Sequence, residues 1–407
     1  MSHLICNCCG GKLHLDYRDE QLSTKSHKKV GFHNTPVLVC GKCNFQSIPE
    51  LTNILLQECL TIFEEQDKNK EETQEIDKTE DDISWFEFSR LINTANGEKF
   101  ISEKVKFIYS RDDYYFIPGL VREWNIGFLT PVFFNIEVLL KYIHHPSYGL
   151  DIGADTYGYV YKEDGHYFSF GINENNKVFM WLGDIIALSL EEQFYLRSEN
   201  IPSDHSISSE FYEAQIEVVW ANSSAEKTLL KKRLEFNENV RNIYGLSVAQ
   251  LDTETLRIAH KIQKLLVNTN DAFQDLIIPL NELLVESINN KAIKTVLKTS
   301  HPELSSEIKD KKGIKLFQLW LEKNTTDIDV NVEICPLYVL YDLRLVAAHL
   351  YSDESRKELL QSCCKRLELN ENENDYVIIS NRLIEKLSTM YETFNATILR
   401  KTQEEEA

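Results

Sequence analysis

Two pairs of cysteines, Cys6-x-x-Cys9 and Cys40-x-x-Cys43, constrain the fold of this chain more than any other feature. Two thiolates at that spacing fit on one tight turn, and glycines or small residues nearby let backbone N–H groups approach the sulfurs. Two such knuckles supply four sulfurs, the ligand set of a tetrahedral zinc. Free thiols and a redox pair are the alternatives, and the second knuckle favours zinc over both. The 30 residues between Cys9 and Cys40 have room for the strands of a zinc ribbon, and Thr35–Cys40 reads as one of them. Four sulfurs leave no open position for water, so this zinc is structural, with no catalytic metal expected. Cys8 is spare, an alternative to Cys6 or Cys9. Cys59, Cys335, Cys363 and Cys364 fall in helical segments and read as small buried hydrophobes.

At 407 residues, with 43% hydrophobic side chains, 20 Phe and 18 Tyr, the chain has ample material for two or three globular domains. No apolar run approaches the ~18 residues of a spanning helix. Met-Ser-His-Leu-Ile-Cys lacks the basic and apolar regions of a signal peptide, so a cytoplasmic protein with no membrane partner is expected. The net charge of −20 is uneven. Residues 1–50 hold six Lys/Arg against four Asp/Glu, and residues 51–82 hold three against eleven. Such acidity disfavours loose binding to nucleic acid but leaves room for a local basic cleft.

The pattern divides the chain into four segments and predicts an α+β multidomain fold. Residues 1–48 form the ribbon. Residues 49–82 form a helix opened by Pro49, with Leu51, Leu55, Cys59 and Ile62 or Phe63 at helical spacing, and an acidic linker over about 65–82. Residues 83–224 form an α+β recognition or sensor domain. Its clearest part is an antiparallel meander, Tyr157–Lys162, His166–Ile172 and Lys177–Leu182, separated by Glu163-Asp164-Gly165 and Asn173–Asn176. Strands are also predicted at Lys104–Tyr109, Tyr114–Ile117 and Phe211–Trp220, and helices at Asn135–Ile143 and Asp184–Tyr195. Residues 225–407 form an all-helical bundle, with helices near 225–243, 253–268, 271–297 (kinked at Pro279), 312–322, 336–352, 354–367 and 379–401.

Within that bundle, Tyr341-Asp342-Leu343-Arg344-Leu345-Val346-Ala347-Ala348-His349 places an arginine and a histidine five positions apart on an otherwise apolar helix. The arginine is always charged and the histidine exchanges a proton near neutral pH. Leu340, Leu343, Ala347 and Leu350 line the core face. At about 100° per residue, Arg344 lies about 140° around the helix from His349, so convergence needs a bend or a second copy across a dimer axis. Asp342, one heptad before His349, is its candidate supporting partner.

Leu337–Ser352 resembles the signature of HEPN domains, all-helical bundles that carry an arginine, four to six residues, then a histidine. The resemblance covers roughly residues 250–400. It implies a metal-independent endoribonuclease of a phage-defence, toxin-like or growth-arrest system, acting as a homodimer through the bundle. Arg344 would hold and stabilise the phosphate and His349 would transfer protons, with the 2′-hydroxyl of the RNA as nucleophile. Its substrate would be tRNA or another structured RNA, under a phage-derived or protein trigger. The family commonly has Asn after the arginine, where this chain has Leu345.

The polar loop Arg197–Ser206 supplies two secondary candidates, Arg197 and His205. Asp204-His205 among serines raises a hydrolytic triad, yet no nucleophile elbow surrounds any serine, and a capping-rich turn is the better account. Two rival classes stay open. One is a non-catalytic zinc-ribbon binding or sensor protein that dimerises through its helices. The other is a DNA-binding regulator, for which no basic reading helix is evident.

Overall fold

The computed structural model describes residues 6–25, 28–71, 83–88, 104–120, 127–163, 165–250, 252–326, 328–348 and 352–406. The protein is α+β and comprises two compact units, residues 1–221 and 222–407.

In the first unit, β1 (Leu13–Ser23) and β2 (Lys29–Cys40) pair antiparallel from Leu13↔Cys40 to Ser23↔Lys29, with an irregularity between Arg18 and Glu20. The strand expected at Thr35–Cys40 is the second half of β2. β3 (Gln46–Ser47) pairs antiparallel with that half, and β4 (Ser84–Glu87) lies parallel beside the first. Helix α1 (Glu50–Glu71) follows Pro49 and buries Leu51, Leu55, Leu56 and Leu60, leaving Ile62 exposed. Of the expected acidic linker, 72–82 lies outside the described residues.

A second sheet contains β5 (Pro131–Phe134), β6 (Tyr148–Ala154), β7 (Tyr157–Lys162), β8 (Gly165–Ile172), β9 (Val178–Trp181) and β10 (Asn200–Ile201). Its order is β10-β5-β9-β8-β7-β6, antiparallel throughout. The expected meander is its β7-β8-β9 portion. Asn176 takes φ 57°, a left-handed turn position that asparagine tolerates. Val30 and Phe32 of β2 and the leucines of α1 share one core with Tyr114, Phe133, Phe179, Trp181 and Phe211.

Three strand expectations fail here. Residues 106–110 form no regular element, and Asp112–Phe116 is a 3-10 helix. Tyr114, Tyr115 and Phe116 are all buried, so the aromatics that suggest a strand serve the core from a 3-10 turn. Phe211–Trp220 is instead a helix, α5, over Glu210–Ile216, preceded by α2 (Leu140–His144), α3 (Leu182–Ala187) and α4 (Leu190–Ser198). The Ser209 hydroxyl accepts from the Tyr212 N–H, a side-chain cap that outweighs the β-propensity of the aromatics. The single helix expected at 184–195 is broken at Leu188–Ser189, where Ser189 caps α4.

The second unit is helical: α6 (Ala225–Tyr244), α7 (Asp252–Ala259), α8 (Asn270–Asn281), α9 (Asn290–Ser300), α10 (Ser305–Asp310), α11 (Ile314–Asn324), α12 (Val330–Glu333), α13 (Cys335–Ala348), α14 (Asp353–Arg366) and α15 (Tyr376–Glu406). The helix expected at 253–268 ends at Ala259. The one expected at 271–297 is divided. Pro279 cannot donate to the ladder, α8 passes into a π turn over Glu282–Glu286, and Asn289 caps α9 by accepting from Ala292. Leu337, Leu340 and Leu343 of α13 are fully buried beside Phe236, Trp320 and Phe394, and Cys363 and Cys364 are both buried, as expected of them. Among the described residues no helix is long and apolar enough to cross a membrane.

Because Leu340 is wholly enclosed, Leu340→Ala is expected to lower unfolding free energy by about 2–5 kcal/mol in urea titration. A loss under about 0.5 kcal/mol, typical of surface sites, would contradict this placement of α13.

Candidate metal centre and candidate active site

The two cysteine knuckles come together at one end of the β1–β2 hairpin. Sγ atoms of Cys6, Cys9, Cys40 and Cys43 all lie within 4.8 Å of one another. Cys6–Cys43 is 3.6 Å and Cys9–Cys40 is 3.4 Å, far beyond a disulfide bond. Four sulfurs at about 2.3 Å from a central zinc would stand about 3.8 Å apart, so the cluster has the size of a four-cysteine metal site.

The two knuckles repeat one backbone pattern. The N–H of the first cysteine donates to the carbonyl five residues on, Cys6 to Gly11 and Cys40 to Phe45. Its carbonyl accepts from the residue four on, Gly10 or Asn44, and both of these take positive φ, 65° and 55°. Its sulfur accepts from the backbone N–H two on, Cys8 or Lys42, each at 3.4 Å. Backbone N–H groups of Cys43 and then Lys42 lower the Cys40 thiol to about 6, despite an opposing effect of burial, which favours the thiolate that binds metal. Gly11 is required by close approach: a Cβ there would lie 2.8 Å from Lys42 Cβ and 2.9 Å from Cys40 Sγ. The spare Cys8 is exposed and outside the cluster, contributing its N–H and not its sulfur. The donor set therefore fits a closed, structural metal and offers no open position.

Arg344 lies in the last turns of α13. Leu343, Val346 and Ala347 are buried. Arg344 Nη2 is 3.8 Å from Glu286 Oε1, with side chains 30% and 53% exposed. Glu286 ends the π turn and accepts from the buried Asn281 at 2.8 Å. Sequence reading missed it, since no local spacing links position 286 to 344. The Asp342 carboxylate accepts from Arg366 Nη2 at 2.5 Å. His349 and Leu350 lie outside the described residues.

The two loop candidates are held by different partners. Arg197 Nε donates to the Lys106 carbonyl at 2.6 Å and fixes backbone. His205 Nδ1 is 2.6 Å from Asp113, a 5% exposed carboxylate at the start of the 3-10 helix. The Ser203 hydroxyl donates to the other oxygen of Asp113 at 2.5 Å, and among the described residues no serine hydroxyl is hydrogen-bonded to the imidazole as a hydrolytic triad needs. Asp204 turns instead to Asn173, Asn175 and Lys177. His205 takes φ 59°, and its pKa is raised by the hydrogen bond to Asp113, with Asp204 and Asp112 adding to the effect against opposing desolvation. No local pattern marks Asp113, because its role depends on a partner 92 positions away.

The chain matches no family model, no curated protein and no solved structure.

Two outcomes follow. Chelation should lower the unfolding midpoint of the wild type, and Cys40→Ser should retain less than about half a metal equivalent; an unchanged midpoint would contradict a structural metal. A folded-state pKa of His205 raised above its unfolded value stabilises the fold fully below about pH 6.5, and the effect is lost as pH rises through the folded value. His205→Asn, which tolerates the positive φ, should therefore cost more stability at about pH 5.5 than at about pH 9. An equal cost at both would contradict the ion pair.

Proposed function

We propose that this protein is a HEPN-type endoribonuclease whose helical unit cuts RNA with Arg344 and His349, and whose cysteine centre carries structural zinc. The observation that carries the reading is the setting of Arg344. Its helix neighbours are anchored in the core, while its guanidinium is partly exposed and meets Glu286 at 3.8 Å. A partly exposed guanidinium on a core-anchored helix is a donor that an incoming phosphate can reach.

The chemistry needs a proton acceptor and a cation. His349 takes the proton of the 2′-hydroxyl, whose oxygen attacks the adjacent phosphorus. Arg344 stabilises the added negative charge, and as the bond from phosphorus to the 5′-oxygen breaks His349 returns the proton to that oxygen, giving a 2′,3′-cyclic phosphate and a 5′-hydroxyl. Positions 344 and 349 are about 140° apart on a helix, which favours a homodimer that pools one group from each copy. The substrate is RNA of tRNA-like or other structured type, in a growth-arrest or phage-defence setting with a phage-derived or protein trigger. Leu345 in place of the family's polar residue marks where this chain departs from the proteins it resembles.

A second reading is favoured by the cysteine centre, whose closed sulfur set supports a recognition scaffold with no chemistry of its own. One comparison separates the two. Expression of wild type, Arg344→Ala and His349→Ala should give growth arrest and cyclic-phosphate RNA fragments in the wild type alone, with cleavage reduced at least about 10²-fold in each variant. Identical behaviour of all three strains sinks the nuclease and leaves the scaffold.

A further inference from the structure

The helical unit carries a groove of about 460 Å³, between α6, residues 247–249, α7 and the π turn. Its apolar surface comes from Leu230, Leu234, Val248, Leu256 and Leu283. Leu234 and Leu256 are 55% and 66% exposed, an unusual cost for leucines unless something covers them. Arg233 also lines it and is partly buried. Its Nη2 donates to the Leu283 carbonyl at 3.0 Å and to Ser287 Oγ at 3.2 Å. Among the described residues no carboxylate pairs with it. A guanidinium fixed by neutral acceptors in a partly desolvated wall has its geometry set and its charge unmatched. Lys231, which also lies 3.8 Å from Glu235, and Arg241 line the same groove together with Glu238.

These features select an occupant. The volume is that of a small-molecule site. The lining has no aromatic ring on which a nucleobase would stack. Arg233, held by neutral acceptors in the wall of the groove, favours an anionic head group. We propose that the groove binds an anionic amphiphile, an aliphatic chain ending in a carboxylate. The carboxylate is received by Arg233 and the chain runs along the leucines. This site is separate from Arg344 and does not depend on the nuclease reading.

The test is calorimetric titration of the full chain with dodecanoate, held below its micellar concentration. Saturable binding at one per chain is expected, weakened at least about tenfold by Arg233→Gln, with dodecyltrimethylammonium binding at least about tenfold more weakly. Since Arg233 also ties α6 to the π turn, Leu256→Asp, at an exposed position, provides the second variant and should weaken binding equally. Absence of saturable binding, equal affinity for the two head groups, or wild-type affinity in Leu256→Asp overturns the proposal. Failure to bind dodecanoate together with conversion of a dimer to a monomer by Leu256→Asp would make the groove a self-association face instead.

Discussion

Four sulfurs at one end of the β1–β2 hairpin fix the part of the molecule on which the first unit is built. Pairing begins at Leu13↔Cys40, so the second knuckle interrupts the hairpin where its last strand partner ends. With all four Sγ atoms within 4.8 Å of one another and two pairs at 3.4 and 3.6 Å, the cluster brings together thiols whose ionised forms repel. A divalent metal held there would convert that repulsion into cohesion, and its binding energy would become folding energy. The effect extends past the hairpin, because β2 sends Val30 and Phe32 into the core that also holds Trp181 and Phe211.

Three arginines of the helical unit show how pairing decides how readily a cation meets an outside ligand. Arg366 is engaged by Asp342 at 2.5 Å. Arg344 meets Glu286 at 3.8 Å across a partly wet surface, where an ion pair contributes about 0–1 kcal/mol. Arg233 is held in its wall by neutral acceptors. In a chain with twenty excess negative charges, an external anion competes more easily at Arg233, held by neutral acceptors, than at Arg366. The acidity of the whole therefore does not forbid an anionic ligand; it confines one to sites where local geometry favours a cation's approach.

Features set by short-range chemistry are legible in the amino-acid sequence itself. The C-x-x-C spacing announces both knuckles, and turn residues place β7, β8 and β9 to within a residue or two. The apolar period locates α6, α11 and α14. What escapes such reading depends on partners far along the chain. Asp113 becomes a buried acid only because His205 and Ser203 reach it. Residues 114–116 resemble a strand in composition, yet enter the core in succession as a 3-10 turn. At 211–216 a serine cap overrides aromatic β-propensity. Glu286 faces Arg344 because Pro279 and the π turn redirect the end of α8, a distortion that periodicity alone does not foretell.

The most direct measurement of the central structural claim is X-ray absorption at the zinc edge of the purified protein. The account predicts a single shell of four sulfurs at about 2.3 Å, with no lighter scatterer among the ligands. A shell containing nitrogen or oxygen, or a protein that folds with no metal to absorb, would contradict it.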